Sequence, residues 1–108
     1  TPEGHLYPCH QLVNYEDFKV GDLKTGIRNH EIRENFHKMT IFEKAKCPDC
    51  WARFFCSGGC YANAYSINKD IKIPDETGCA LQKKRIECAL GIQALLKREN
   101  IKWRQGFL

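Results

Sequence analysis

The sequence lacks any apolar run approaching the roughly 20 residues that span a bilayer, so no membrane partner is expected. It also lacks a basic start followed by an apolar stretch. Thr1-Pro-Glu-Gly4 is no secretory leader, which predicts a cytoplasmic, reducing setting. The start at Thr1, without Met, suggests a piece of something longer. There is no Ser/His/Asp set, no phosphate-binding glycine loop and no internal repeat. At 108 residues there is no room for a catalytic barrel of roughly 200 residues or more. Charge of one sign is scarce too. Lys and Arg number 17 against 13 Asp and Glu, and a net charge of +4 is too mild for a nucleic-acid partner to be expected. Basic residues gather at 80–108, but aromatics do not interleave with them there, apart from Trp103 and Phe107. That run reads as a solvated helix face. With 43% hydrophobic and 11% aromatic residues, disorder is not expected.

What the sequence does have is cysteine, at positions 9, 47, 50, 56, 60, 79 and 88. Seven is odd, so a closed disulfide framework leaves one thiol over, and a reducing compartment favours metal instead. Cys47, Cys50, Cys56 and Cys60 form C-x2-C-x5-C-x3-C, four thiols within fourteen residues. Pro48-Asp49 suits a tight turn that points two sulfurs at one centre. One reading is a zinc site held by four thiolates. The other is an iron–sulfur cluster. It is favoured by cysteines on both sides of the run and by Gly58-Gly59, whose bare backbone can approach cluster sulfurs. Cys60 and Cys79 each precede a predicted helix, where an anion is stabilised, although zinc thiolates use such ends as well. The C-x3-C-x2-C run of the cluster that cleaves S-adenosylmethionine is absent, as is the bacterial ferredoxin run.

Patterning predicts one α+β domain over 1–108. An antiparallel hairpin occupies 1–27, returning through Phe18–Leu23, with Gly21 weakening the strand or marking a bulge. A helix over 28–46 is capped by Asn29 and presents Ile32, Phe36 and Met39 to a core. The Cys-rich metal-binding loop covers 47–79. Within it, Trp51, Phe54 and Phe55 are expected to shield the site, and residues 66–78 to form a connector punctuated by Pro74 and Gly78. A long helix fills 80–100, with Leu81, Cys88, Ile92 and Leu95 near one stripe, so that Cys88 reads as a buried small hydrophobe. A tail follows at 101–108. His10 adjoins Cys9, but in a strand it would point to the opposite face.

The cysteine pattern resembles the SPASM domain, the C-terminal auxiliary-cluster domain of radical SAM peptide maturases. Gly4-His-Leu-Tyr-Pro-Cys9 is similar to that family's Gly-x4-Cys. Cys47, Cys50, Cys56 and Cys60 match its central run without a change of spacing, and Cys79 matches its last position. Tyr7-Pro-Cys-His-Gln-Leu-Val13, Cys56-Ser-Gly-Gly-Cys-Tyr-Ala-Asn-Ala-Tyr65 and Gly78-Cys-Ala-Leu-Gln-Lys-Lys-Arg85 further resemble the SCIFF maturases, which form Cys-to-Thr thioethers in small Cys-rich peptides. The resemblance implies two [4Fe–4S] clusters. Cys47, Cys50, Cys56 and Cys79 would hold the second, with complete ligation. Cys9 and Cys60 would hold part of the first, which is incomplete here because the family's opening Cys has no counterpart in the sequence. Cys88 has none in the family pattern. The resemblance also implies an N-terminal radical SAM domain and a precursor peptide as partners, and no activity for this chain alone.

Overall fold

A computed structural model describes residues 1–100. The tail expected at 101–108, with Trp103 and Phe107, lies outside the described residues. The protein is a mixed α+β fold: a small three-stranded antiparallel sheet, then helices, the last of them long.

The strands are β1 (His5–Leu6), β2 (Gly21–Asp22) and β3 (Gly26–Ile27), in that spatial order. His5 pairs with Asp22 and Leu6 with Gly21, while Gly21 also faces Ile27. The expected hairpin is therefore present, but its return strand continues into a third. Within the expected hairpin, two short 3-10 turns, His10–Leu12 and Glu16–Phe18, lie between β1 and β2. The cause is local: Cys9 Sγ accepts the Gln11 N–H and caps the first turn. Gly21 answers to close backbone approach rather than to a bulge. A Cβ there would sit 2.2 Å from the Gly26 carbonyl oxygen.

Helix α1 (His30–Lys38) starts where its cap predicts, with Asn29 Oδ1 accepting the Ile32 N–H at 3.2 Å. It stops eight residues before the expected end at 46. Met39 turns extended, Thr40 Oγ1 captures the Phe42 N–H, and Lys46 takes a left-handed φ of +65°. The side-chain bond at Thr40 competes with helix continuation. Met39 is still buried, although it is no longer helical.

The stretch expected as loop and connector over 47–79 contains two helices, α2 (Arg53–Cys56) and α3 (Tyr61–Asn68). Helix α4 (Glu76–Arg98) begins four residues earlier than 80, because the Asp75 carboxylate accepts the Thr77 and Gly78 N–H groups at 3.0 Å each. Cys79 thus lies inside the first turn of α4 rather than before it.

The hydrophobic core gathers Leu12, Phe18 and Ala62, with Tyr15, Ile32, Phe36 and Tyr65 packed around them. Its aromatics meet edge to face: Phe18 with Tyr65 at 4.6 Å, Phe18 with Phe36 at 5.9 Å, and Phe36 with Tyr61 at 5.3 Å. Away from this core α4 projects. Every residue from 87 to 95 is exposed, including Cys88, Ile92 and Leu95. Cys88 is therefore not the buried small hydrophobe its stripe predicts. The Cα radius of gyration is 18.4 Å, against about 13 Å for a compact chain of this length.

Candidate metal centre

The Cys47–Cys50 turn forms as its sequence predicts. The Cys50 N–H donates to the Cys47 carbonyl at 3.1 Å. Arg53 then folds back over the turn, one guanidinium N–H donating to the Pro48 carbonyl at 2.9 Å. Helix α2 carries Cys56 and packs on α4, which carries Cys79. As a result Cys47, Cys50, Cys56 and Cys79 line one cavity of about 30 Å³, closed by Ala52, Arg53, Gly58, Gln82 and Lys83. A wider cleft of about 440 Å³ reaches Cys47, Cys50 and Cys79 from one direction. Another, of about 310 Å³, reaches Cys56, Cys60 and Cys79.

The expected first-cluster pair lies apart from this cavity, and both of its thiols touch Gln11. The Cys60 thiol donates to Gln11 Oε1 at 3.1 Å, and the Gln11 N–H donates to Cys9 Sγ at 3.4 Å. His10 opens the 3-10 turn rather than a strand, and its Nδ1 is 4.0 Å from Cys9 Sγ. Among the described residues, no group of three or more His, Cys, Asp or Glu is drawn tightly enough to hold a single metal ion.

Burial pushes the Cys47 thiol above its ordinary range, resisted by the nearby Lys44 charge. Burial raises Cys79 too, and Cys56 adds to that rise. Both are therefore protonated at neutral pH, and a metal entering the site must displace those protons.

The aromatics of the run do not shield the cavity. Trp51 is 49% exposed, Phe54 69% and Phe55 62%, so the expected dry aromatic shell is absent there. In its place stand two cations that patterning missed. Lys44 is 2% exposed. Its ammonium donates to the Gly58 carbonyl at 2.7 Å and to that of Gly59 at 3.4 Å, and sits 3.9 Å from the Tyr61 ring centroid. Burial pulls its pKa down, while Cys47, Cys56, Cys60 and Cys79 pull it back up. Arg53 lines the four-thiol cavity, and its Nε is buried with no hydrogen-bond partner among the described residues. A buried unpaired donor is costly unless an acceptor meets it. Four thiols and an unsatisfied cationic donor around one cavity fit an anionic metal–thiolate group.

Within the Cys run, a sequence signal for Arg53 did exist: one basic residue between Trp51 and Phe54-Phe55. For Lys44 there was none. Compared with family models the chain matches none, and it matches no curated protein.

Proposed function

We propose that this chain is an auxiliary iron–sulfur domain of the SPASM type, holding a [4Fe–4S] cluster on Cys47, Cys50, Cys56 and Cys79 for a radical SAM peptide maturase. The observation that carries the reading is the convergence of those four thiols on one cavity, although Cys79 is 23 residues beyond Cys56 and rides on a different helix. One feature favours a cluster over one zinc: Arg53 lines the cavity and its Nε is buried without a hydrogen-bond partner among the described residues, and cluster sulfurs accept such bonds. When bound, the cluster supplies one-electron redox capacity or an orienting Lewis-acidic iron.

The residues of this chain have their own tasks. Cys47 and Cys50 offer two thiolates from one tight turn. Cys56 and Cys79 clamp α2 to α4. Arg53 holds the turn through the Pro48 carbonyl and lines the cavity. Cys9 and Cys60, both bonded to Gln11, form the remnant of a second site that is open to a further ligand, in the parent enzyme a thiol of its small Cys-rich peptide. A parent radical SAM domain would generate the peptide radical, and the product would be a Cys-to-Thr thioether.

The test is oxygen-free reconstitution of the chain followed by iron, sulfide and zinc analysis. About four irons and four sulfides with a visible charge-transfer band support the reading. A colourless protein that takes up one zinc and no sulfide overturns it. In the parent enzyme, Cys56→Ala is expected to abolish crosslinking while S-adenosylmethionine cleavage survives.

A further inference from the structure

Lys44 carries a charge in a place where charges are rarely tolerated. It is the largest fully buried side chain among the described residues. Fully buried lysines are rare unless something compensates them. The usual compensation is a carboxylate, yet the ion pairs among the described residues join Lys38 to Glu34, Lys46 to Glu76, Lys84 to Glu87 and Arg98 to Glu99, and none involves Lys44. Two backbone carbonyls and the face of Tyr61 supply dipoles and a quadrupole, but no negative charge.

The carbonyls it binds belong to Gly58 and Gly59, the residues between Cys56 and Cys60. Its own carbonyl accepts the Cys47 N–H at 3.2 Å. Lys44 therefore links the two halves of the Cys run, its backbone carbonyl bonded to Cys47 and its ammonium to Gly58 and Gly59. The backbone has been shaped around it: Ser57, Gly58 and Gly59 all adopt positive φ, and a Cβ on Gly58 would lie 2.9 Å from Lys44 Cδ. Of the three only Ser57, the non-glycine, carries backbone strain, which persists only where its surroundings enforce it.

We propose that Lys44 is the fixed countercharge of the metal–thiolate centre, a positioning residue that raises the reduction potential of the cluster on Cys47, Cys50, Cys56 and Cys79. This inference rests on the cluster reading above. A [4Fe–4S] core with four thiolates is anionic, and each added electron makes it more so. A cation held nearby stabilises the reduced state over the oxidised one, and burial keeps salt from screening it. The surface cations of α4, such as Lys84 at 73% side-chain exposure, lack that protection.

The experiment measures the midpoint potential of the one-electron 2+/1+ couple in the reconstituted chain, at low and at high salt. Lys44→Met removes the charge, and Lys44→Gln also keeps a donor for the Gly58 carbonyl. Lys84→Met is the exposed comparison. The expected result is a potential shifted negative in both Lys44 variants and unchanged between the two salt conditions, with little shift in Lys84→Met. Loaded Lys44 variants with the wild-type potential overturn the countercharge and leave the cluster reading standing. Should neither neutral variant load, Lys44→Arg decides: restored iron and sulfide support the countercharge, and continued failure overturns it. If the wild-type chain itself takes up no iron and sulfide, the cluster reading falls and Lys44 falls with it.

Discussion

The two regions of this protein bury different chemistry. Around Phe18 the interior is apolar and aromatic: Leu12, Phe18 and Ala62 form the buried cluster, and ring meets ring edge on. Around Cys47 the buried residues include Lys44, Cys47 and Ala52: one charge, one thiol and little large apolar surface. Burial at about 25 cal/mol per Å² can hold the first region by itself. The second has little such surface to withdraw from water. Its segments come from 44–60 and from 75–86, joined by a long excursion, and closing that excursion costs entropy that a cross-link recovers. Under the proposed function, the metal–thiolate centre would supply that cross-link. Tyr61 connects the regions, with its ring against Phe36 on one face of the problem and beneath Lys44 on the other.

The strongest test of that contrast is metal removal. Chelation of the reconstituted chain, or Cys56→Ala, is expected to leave the near-ultraviolet dichroism of the aromatic region largely intact. Amide protection in 47–60 and the first turns of α4 should collapse. Hydrogen exchange with residue-level readout checks this, and simultaneous loss in both regions would break the contrast. The converse substitution, Phe18→Ala, is expected to cost about 3–5 kcal/mol in the metal-free protein, read as a lowered urea midpoint. Iron and sulfide uptake should suffer far less than the midpoint does.

Much of this was legible because it is local. The turn at Pro48-Asp49 and the Asn29 cap each depend on residues within a few positions of one another, and both take the expected form. The start of α4 was legible in principle, since Asp75 is a strong cap followed by Glu76, but Pro74 and Gly78 drew attention as breaks. What could not be read was what covers what. Trp51, Phe54 and Phe55 are hydrophobic by type yet exposed, because α2 has a single turn and its other side packs on α4. Lys44 lies in the polar run Glu43-Lys-Ala-Lys46, where nothing marks one lysine as buried and its neighbour as exposed. Its burial arises from contact with Gly58, fourteen residues away.

A finer probe of the thiol region is Gly58→Ala. The residue has φ +82° and no space for a methyl beside Lys44. A loss of about 1–3 kcal/mol is expected, measured by denaturation of the metal-loaded chain, with a larger effect there than at Gly59, where a Cβ meets nothing within 4 Å. The smallest effect belongs to the exposed Lys46–Glu76 pair that joins the Cys run to α4. The Lys46 hydrogen bond and charge hold the Glu76 carboxyl below its usual range. A depressed carboxyl pKa stabilises the folded state above the unfolded value near 4.3 and loses that contribution as pH falls through the folded one. Glu76→Gln should therefore flatten the acid limb of the stability profile slightly, and added salt should erase the difference.

Helix α4 has mechanical consequences for the thiols. A helix rises about 1.5 Å per residue, so Leu95 stands about 24 Å along the axis from Cys79, at the end of a stiff rod whose outer turns are bathed in solvent. Three of the four converging sulfurs ride on a separate stretch of backbone near the rod's foot. A tilt of α4 would therefore move Cys79 relative to Cys47, Cys50 and Cys56.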